Sequence, residues 1–308
     1  MPGLATPAVL AALKTNVYKN FQGALAARPP TPIVDMLFQK VSSSTLMNTY
    51  AWLAEMTGMA EWIGPRHVDG FKERAFQITN KHYEKTVAVN KDTLDDSGMS
   101  VVADAGERMR VITEAAHFLE EDLLLDLLQN GQTRTGYDGQ FFFDTDHPTD
   151  ITNVTGTQSN YSASGLALTQ ANFNTAKQLM MQYQGEGGRT FGVGYRLALL
   201  VPPQLEDEAD AIVTAQYGAS GASNTTYQYA EKLVWDRLAN QGTTWYLVDI
   251  GPRGLKPLIL QERKPLTLVS RVAENDDNVF WRNELVWGLD KRIGAGYGAW
   301  FKIYKAAA

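Results

Sequence analysis

From Pro7 to about Ala26 the apolar residues Val9, Leu13, Val17, Phe21 and Leu25 recur every four positions, which stacks them along one narrow stripe of an α-helix. Thr6 followed by Pro7 reads as an N-cap with proline in the first helical position. Arg28-Pro29-Pro30-Thr31-Pro32 ends the helix, because proline fixes φ and drives the residue before it toward extended backbone. A stripe this narrow cannot make its own core, so residues 1–32 read as an arm laid on something else, its apolar area buried only against other copies.

Residues 42–95 scatter Tyr50, Trp52, Trp62, Phe71, Phe76 and Tyr83 among many polar positions. In the run FQITNKHYEKTVAVNK, Phe76 and Ile78 have one parity while Tyr83, Val87 and Val89 have the other, so neither face of a strand is consistently apolar. Two readings follow: a bulged edge strand of an ordinary sheet, or a long projecting hairpin that a neighbour's surface completes. Next, Val102, Ala105, Met109, Ile112, Ala116, Leu119 and Leu123 step by three and four, which predicts one long helix over 99–130, roughly 45 Å at 1.5 Å per residue. Ser97 or Ser100 is placed to cap it and Asn130-Gly131 to stop it in the left-handed region. After Ala116 the stripe broadens with Leu124, Leu125 and Leu128, so the second half is expected to be the more deeply packed.

GYDGQFFFDTDHP at 136–148 reads as turn, short aromatic strand and turn, and 149–165, rich in Thr, Asn, Ser and Gly, as a loop. Then come a helix that Thr169 caps, the strand YRLALLVPP, the helix QLEDEADAIVTAQ and a Gly-Ser-Asn loop at 218–226, an order that suits an α/β insert. From Thr244 the chain is β-rich through WYLVDI, LKPLILQER, LTLVSRVAE and VFWRNELVWGLDKR, and no internal repeat is visible.

The 308 residues are 44% apolar, enough for one large domain or two modest ones. No stretch reaches about 18 apolar residues, and Lys14 and Asn16 interrupt the N-terminal run, so neither a signal peptide nor a membrane span is expected. The absence of cysteine removes disulfides, thiolate metal sites and cysteine nucleophiles. A net charge of −6 opposes a freestanding nucleic-acid binder. Charge is also uneven: residues 1–40 carry four basic groups against Asp35 alone, while 99–130 carry two basic groups against seven acidic ones. That asymmetry invites contacts between subunits, or marks no more than a solvated acidic helix face.

Candidate chemistry is sparse. The four histidines, at 67, 82, 117 and 147, show no helical zinc spacing. Asp144, Asp146, His147 and Asp150 could together bind a divalent cation, but Asp beside Pro148 is ordinary turn chemistry. GEGGRTFGVG at 185–194 lacks the Gly-Lys-Ser/Thr of a phosphate loop. Gly294-Ala-Gly296-Tyr-Gly298-Ala299 fits a dinucleotide fingerprint only superficially, with no helix or second strand to follow. The sequons at Asn153 and Asn224 have no secretory route, and no serine sits in a nucleophile elbow. No catalytic, cofactor-binding or metal residue is nominated, and no enzyme is expected.

The order of arm, ribbon, spine helix, α/β insert and returning sheet resembles the α+β coat fold of tailed phages, the HK97 fold. FQGAL at 21–25, SSSTLMNTYAWL at 42–53, EWIGPR at 61–66, FQITNKHYEKTVAV, GYDGQFFFDTDHP, LKPLILQERKP at 255–265 and NELVWGLDKRIGAGYGAWF at 283–301 look like the Mu-like prophage major head subunit family. The resemblance covers most of the chain outside roughly 150–240. It implies an N-arm at 1–41, an E-loop hairpin at 42–96, a peripheral domain with the spine helix at 97–165, an axial domain at 166–250 and a return to the peripheral sheet at 251–308. The implied work is self-association into pentamers and hexamers of an icosahedral shell around double-stranded DNA, in the virion, after assembly in the bacterial host cytoplasm. Trp52, Trp62, Phe76, Tyr83 and Val87 are the candidate inter-subunit contacts. Since the arm opens the sequence, a scaffolding protein and a maturation protease are implied as separate partners, with a portal at one vertex, non-specific contact with packaged DNA, room for a decoration protein, and no membrane or cofactor. An encapsulin-like compartment holding cargo protein shares the fold. An unrelated α/β hydrolase would need a nucleophile and base converging in a pocket, and no such pair stands out.

Overall fold

The computed structural model describes residues 7–27, 31–50, 76–97, 99–149, 156–162, 165–185, 188–218, 221–251 and 255–307. Its first half runs α1 (Pro7–Ala26), α2 (Pro32–Leu37), β1 (Phe38–Ser42), β2 (Met47–Tyr50), β3 (Phe76–Thr79), β4 (Lys81–Asn90), α3 (Lys91–Ser97), α4 (Met99–His117) and α5 (Leu119–Asn130). The insert follows as β5 (Tyr161–Ser162), α6 (Gln170–Gln182), β6 (Leu197–Val201), α7 (Glu206–Ala209), β7 (Ala230–Val234) and β8 (Trp245–Asp249). The chain closes with β9 (Leu258–Arg271), α8 (Asp277–Arg282), β10 (Glu284–Tyr297) and β11 (Ile303–Ala306).

The helix at 7–26 forms, but what it lies on corrects the sequence reading. Leu13, Val17 and Phe21 pack with Val102, Ala105 and Met109 of the chain's own α4. Asn16 Nδ2 donates to Val102 O at 2.7 Å, and the helices come so close at Gly106 that an added Cβ would stand 2.4 Å from Asn16 Nδ2. A narrow stripe suffices when it meets another helix and the far ends of β4, β9 and β10, which complete this smaller core.

The spine is broken where one uninterrupted helix was expected. Phe118 N bonds to Ala115 O, a tightened turn, and separates α4 from α5. The break falls where the helix passes from one core to the other: α4 packs in the smaller cluster, while Leu124, Leu127 and Leu128 of α5 belong to the larger one. Gly131 is right-handed, at φ −65°, so it is no left-handed stop. It is small because the Phe143 ring would lie 2.4 Å from a Cβ there.

β9 and β10, 14 residues each, form a hairpin about 45 Å long in a sheet of order β1-β9-β10-β4. Its register slips between Asp290 and Ile293, opposite the stretch holding Pro265, which has no N–H to give a ladder. The parity conflict in the ribbon now has a cause. β3 pairs with β2, from Met47↔Thr79 to Tyr50↔Phe76, whereas β4 leaves that partner and runs along β10 as the sheet's edge. The run 76–91 is therefore two strands joined at Asn80, and only β2 and β3 form the base of a hairpin.

The insert is built on a sheet of order β5-β11-β8-β6-β7. β6 and β8 are buried along their whole length, the apolar-run signature of strands covered on both faces. Within 251–308, β9 and β10 lie in the sheet with β1 and β4, whereas β11 pairs antiparallel with β8, Ile303↔Val248 to Ala306↔Trp245. The chain's last strand thus lies inside the insert's sheet, because all four of its residues are buried there.

Candidate assembly surfaces

The β2–β3 hairpin base is rooted on one side chain. Gln261 of β9 is fully buried; its Nε2 donates to Ile78 O at 2.7 Å and Asn80 Oδ1 at 3.0 Å, and its Oε1 accepts from the Tyr50 hydroxyl at 2.9 Å. Asn80 Nδ2 in turn donates to Ser43 Oγ and Thr45 O. Desolvation pushes the Tyr50 hydroxyl above its usual range. β10 makes room with alternate glycines on one face: a Cβ on Gly294 would meet Thr79 O at 2.9 Å, and one on Gly296 would meet Ile78 at 2.6 Å. The Gly-Ala-Gly-Tyr-Gly pattern that imitates a dinucleotide fingerprint is a seat for β3.

At the opposite end of the hairpin, α8 carries the most exposed aromatic pair among the described residues. Phe280 is 72% and Trp281 76% exposed, edge to face at 4.9 Å. At the insert's rim, Tyr195, Tyr217 and Tyr229 stand out from loops, and Tyr195, Tyr227 and Tyr229 border a cleft of about 440 Å³. Lys177 Nζ sits 3.3 Å over the Tyr229 ring, where burial lowers its pKa.

The buried polar groups are internal fastenings. His147 Nδ1 lies 2.6 Å from Asp138 Oδ2, both side chains fully buried, and the imidazole stacks on Trp300 at 4.0 Å. Asn160 Nδ2 donates to Phe142 O and Trp300 O, tying this loop to the C-terminal segment. Lys291 pairs with Glu120 at 2.8 Å and Lys302 with Asp249 at 3.3 Å. Lys305 donates to Gln132 Oε1 at 2.8 Å, and burial pushes its ammonium down to about 8.

Of the acidic–histidine cluster weighed from sequence only Asp144 and Asp146 come within hydrogen-bond reach, and partial desolvation and the neighbouring Asp144 raise the Asp146 pKa. His147 turns inward to Asp138, while the Asp144 carboxylate accepts from the backbone N–H groups of Phe141 and Thr145. Asp150 lies outside the described residues, among which no group of three or more acidic or histidine side chains could hold a metal ion. No helix among them is long and apolar enough to cross a membrane.

Of the candidate contact residues, Trp52 and Trp62 lie outside the described residues. Phe76 and Tyr83 are half-buried against the larger core and Val87 against the smaller, so each packs in part on its own subunit. Sequence reasoning missed Phe280 and Trp281. The available signal was an adjacent apolar pair between Asp276-Asp277 and Arg282 that fits the period of neither flanking strand.

A family model described as Mu-like prophage major head subunit gpT matches residues 10–167, 162–238 and 230–308. The major capsid protein of Escherichia phage Mu is 29% identical over 297 residues, 96% of this chain and 73% of that protein. The Mu-like prophage FluMu major head subunit of Haemophilus influenzae is 28% identical over 301 residues, 96% of this chain and 72% of that one. A chain of the bacteriophage JBD30 procapsid superposes with a TM-score of 0.59 at 27% identity, covering 98% of this chain and 76% of its own length.

Proposed function

This chain belongs to the Mu-like prophage major head subunit gpT family and is a major capsid protein of a tailed phage, and from that premise we propose how its parts build the shell. The observation that carries the reading is that the family match and the likeness to a procapsid chain both run the length of the molecule.

The body, with the arm helix folded back on its own spine, is the rigid unit, and copies of it form pentamers and hexamers of an icosahedral virion shell. The E-loop, rooted at Gln261, reaches a neighbouring copy. Trp52 and Trp62 make that contact, joined by whatever faces of Phe76, Tyr83 and Val87 their own core leaves open. The role is structural, without turnover. A net charge of −6 suits a wall that lets packaged DNA slide without sticking. A scaffolding protein, a maturation protease and a portal at one vertex are the partners such a shell needs.

Electron microscopy of cells expressing the chain with its scaffold tests this reading. Closed shells containing the chain support it, and soluble chain with no particles contradicts it.

A further inference from the structure

We infer that His147 and Asp138 form a proton-held latch: folding captures a proton between them, and the fastening they make to the C-terminal segment weakens as pH rises. The inference concerns the subunit's own fold and does not rest on the shell-building reading.

The neighbouring carboxamide fixes one ring nitrogen. Asn160, fully buried, donates through Nδ2 to Phe142 O at 2.8 Å and Trp300 O at 3.2 Å, while its Oδ1 accepts from Asp144 N at 3.0 Å. Turned the other way, the amide would set its NH₂ against the Asp144 N–H and its oxygen against two carbonyls. Oδ1 therefore faces His147 Nε2 at 3.2 Å, and that nitrogen must carry a hydrogen. The other nitrogen, Nδ1, lies 2.6 Å from Asp138 Oδ2, with both side chains shut away from water. A bare nitrogen against an ionised carboxylate at that distance would set lone pair against lone pair, so a second proton lies between them. With that proton the pair is neutral as a unit, which suits its burial.

In an unfolded chain above about pH 6.5 the carboxyl is ionised and the imidazole neutral. The folded chain thus holds a proton that the unfolded chain has released, and this pair's contribution to stability falls as pH climbs. The latch closes a seam: the imidazole stacks on Trp300 at 4.0 Å, and Asn160 O accepts from Lys305 N at 2.9 Å, so the loop grips both the turn before β11 and β11 itself. The other titratable groups around the pair are Asp144 and Asp146 on the same loop, Lys305, and Tyr137 and Tyr183, whose hydroxyls desolvation pushes well above their usual range.

Urea unfolding of wild type and Asp138→Asn from pH 7 to pH 9 tests the latch. The new carboxamide oxygen accepts from Nδ1 but compensates no charge, so the imidazole stays neutral and the captured proton is lost. The other titratable groups are common to both chains and cancel in the comparison. The variant is expected to be the less stable at pH 7, and the ratio of the two unfolding constants to narrow severalfold by pH 9, with a limit of about tenfold per pH unit. A ratio that stays constant over the range overturns the latch. If Asp138→Asn does not fold, wild-type subunit carrying ring-¹⁵N histidine decides. The latch requires a slowly exchanging proton between His147 Nδ1 and Asp138 at pH 7.5, identified by its nuclear Overhauser contact with the Trp300 ring. A bare Nδ1 with no such proton overturns it.

Discussion

The Tyr50 hydroxyl donates to Gln261 Oε1 across 2.9 Å, joining the last residue of β2 to β9 near the open end of the long hairpin. Gln261 also donates to Ile78 O and Asn80 Oδ1, so one carboxamide holds both strands of the β2–β3 pair. Tyr50→Phe leaves the buried Oε1 short of a donor and is expected to cost about 1–2 kcal/mol. Gln261→Leu strands several buried partners at once and is expected to cost more, about 3 kcal/mol. Thermal melting of the unassembled subunit checks the order; equal melting for all three proteins would show that the node does not hold the β2–β3 pair.

Gly296→Ala places a methyl 2.6 Å from Ile78. The expected loss is about 1–3 kcal/mol, because β3 must lift off β10. Ile78→Ala in the same chain removes both the Cδ1 and the Cγ1 that the new methyl would meet, so the double variant should be less destabilised than the sum of the single changes. Additive effects in a double-mutant cycle would refute the seat.

Phe21→Ala separates an arm held by its own spine from one completed by a neighbour. Phe21 is 3% exposed in the isolated chain, so its truncation is expected to cost the free subunit about 3–5 kcal/mol. An unchanged melting temperature of unassembled protein would mean that the arm is not docked on α4.

Lys305 gives the fold a pH signature. Its ammonium is pushed down to about 8 from 10.5 by burial, and among the described residues no carboxylate pairs with it. Between those values the unfolded chain holds a proton that the folded chain has released, so this group's penalty is full below pH 8 and is relieved as pH climbs through the window. Lys305→Met is expected to be more stable than wild type at pH 7 by about 1–2 kcal/mol, once the lost bond to Gln132 is set against the recovered desolvation. The advantage should shrink by pH 9.5. Urea denaturation at the two pH values measures it, and an advantage that grows with pH would contradict the assignment.

The sequence carried the fold through long periodic elements and local motifs. The stripe at Leu13, Val17 and Phe21 located α1, and the runs LALLV and WYLV, without a charged residue, located the insert's central strands. What it could not carry was pairing. The parity switch around Asn80 was visible, but that it marks a change of strand partner depends on β10, some two hundred residues away. The break at Phe118 depends on two cores meeting, and the membership of β11 depends on β8; neither leaves a local mark. Gly131, Gly294 and Gly296 were legible as glycines, yet their reason is a close approach by Phe143, Thr79 and Ile78, which is tertiary. On the surface, alternation within strands drew attention to Tyr83 and Val87, which turn partly inward, and away from Phe280 and Trp281, which do not.

The central claim is that this chain works by associating with copies of itself. Sedimentation velocity of the purified chain over a rising concentration series, with its scaffold present and absent, measures that most directly. The account predicts capsomer-sized oligomers or closed shells in place of a growing monomer peak. A single monomer species that persists at high concentration with scaffold present, its α1 helix and β2–β3 pair folded, would contradict it.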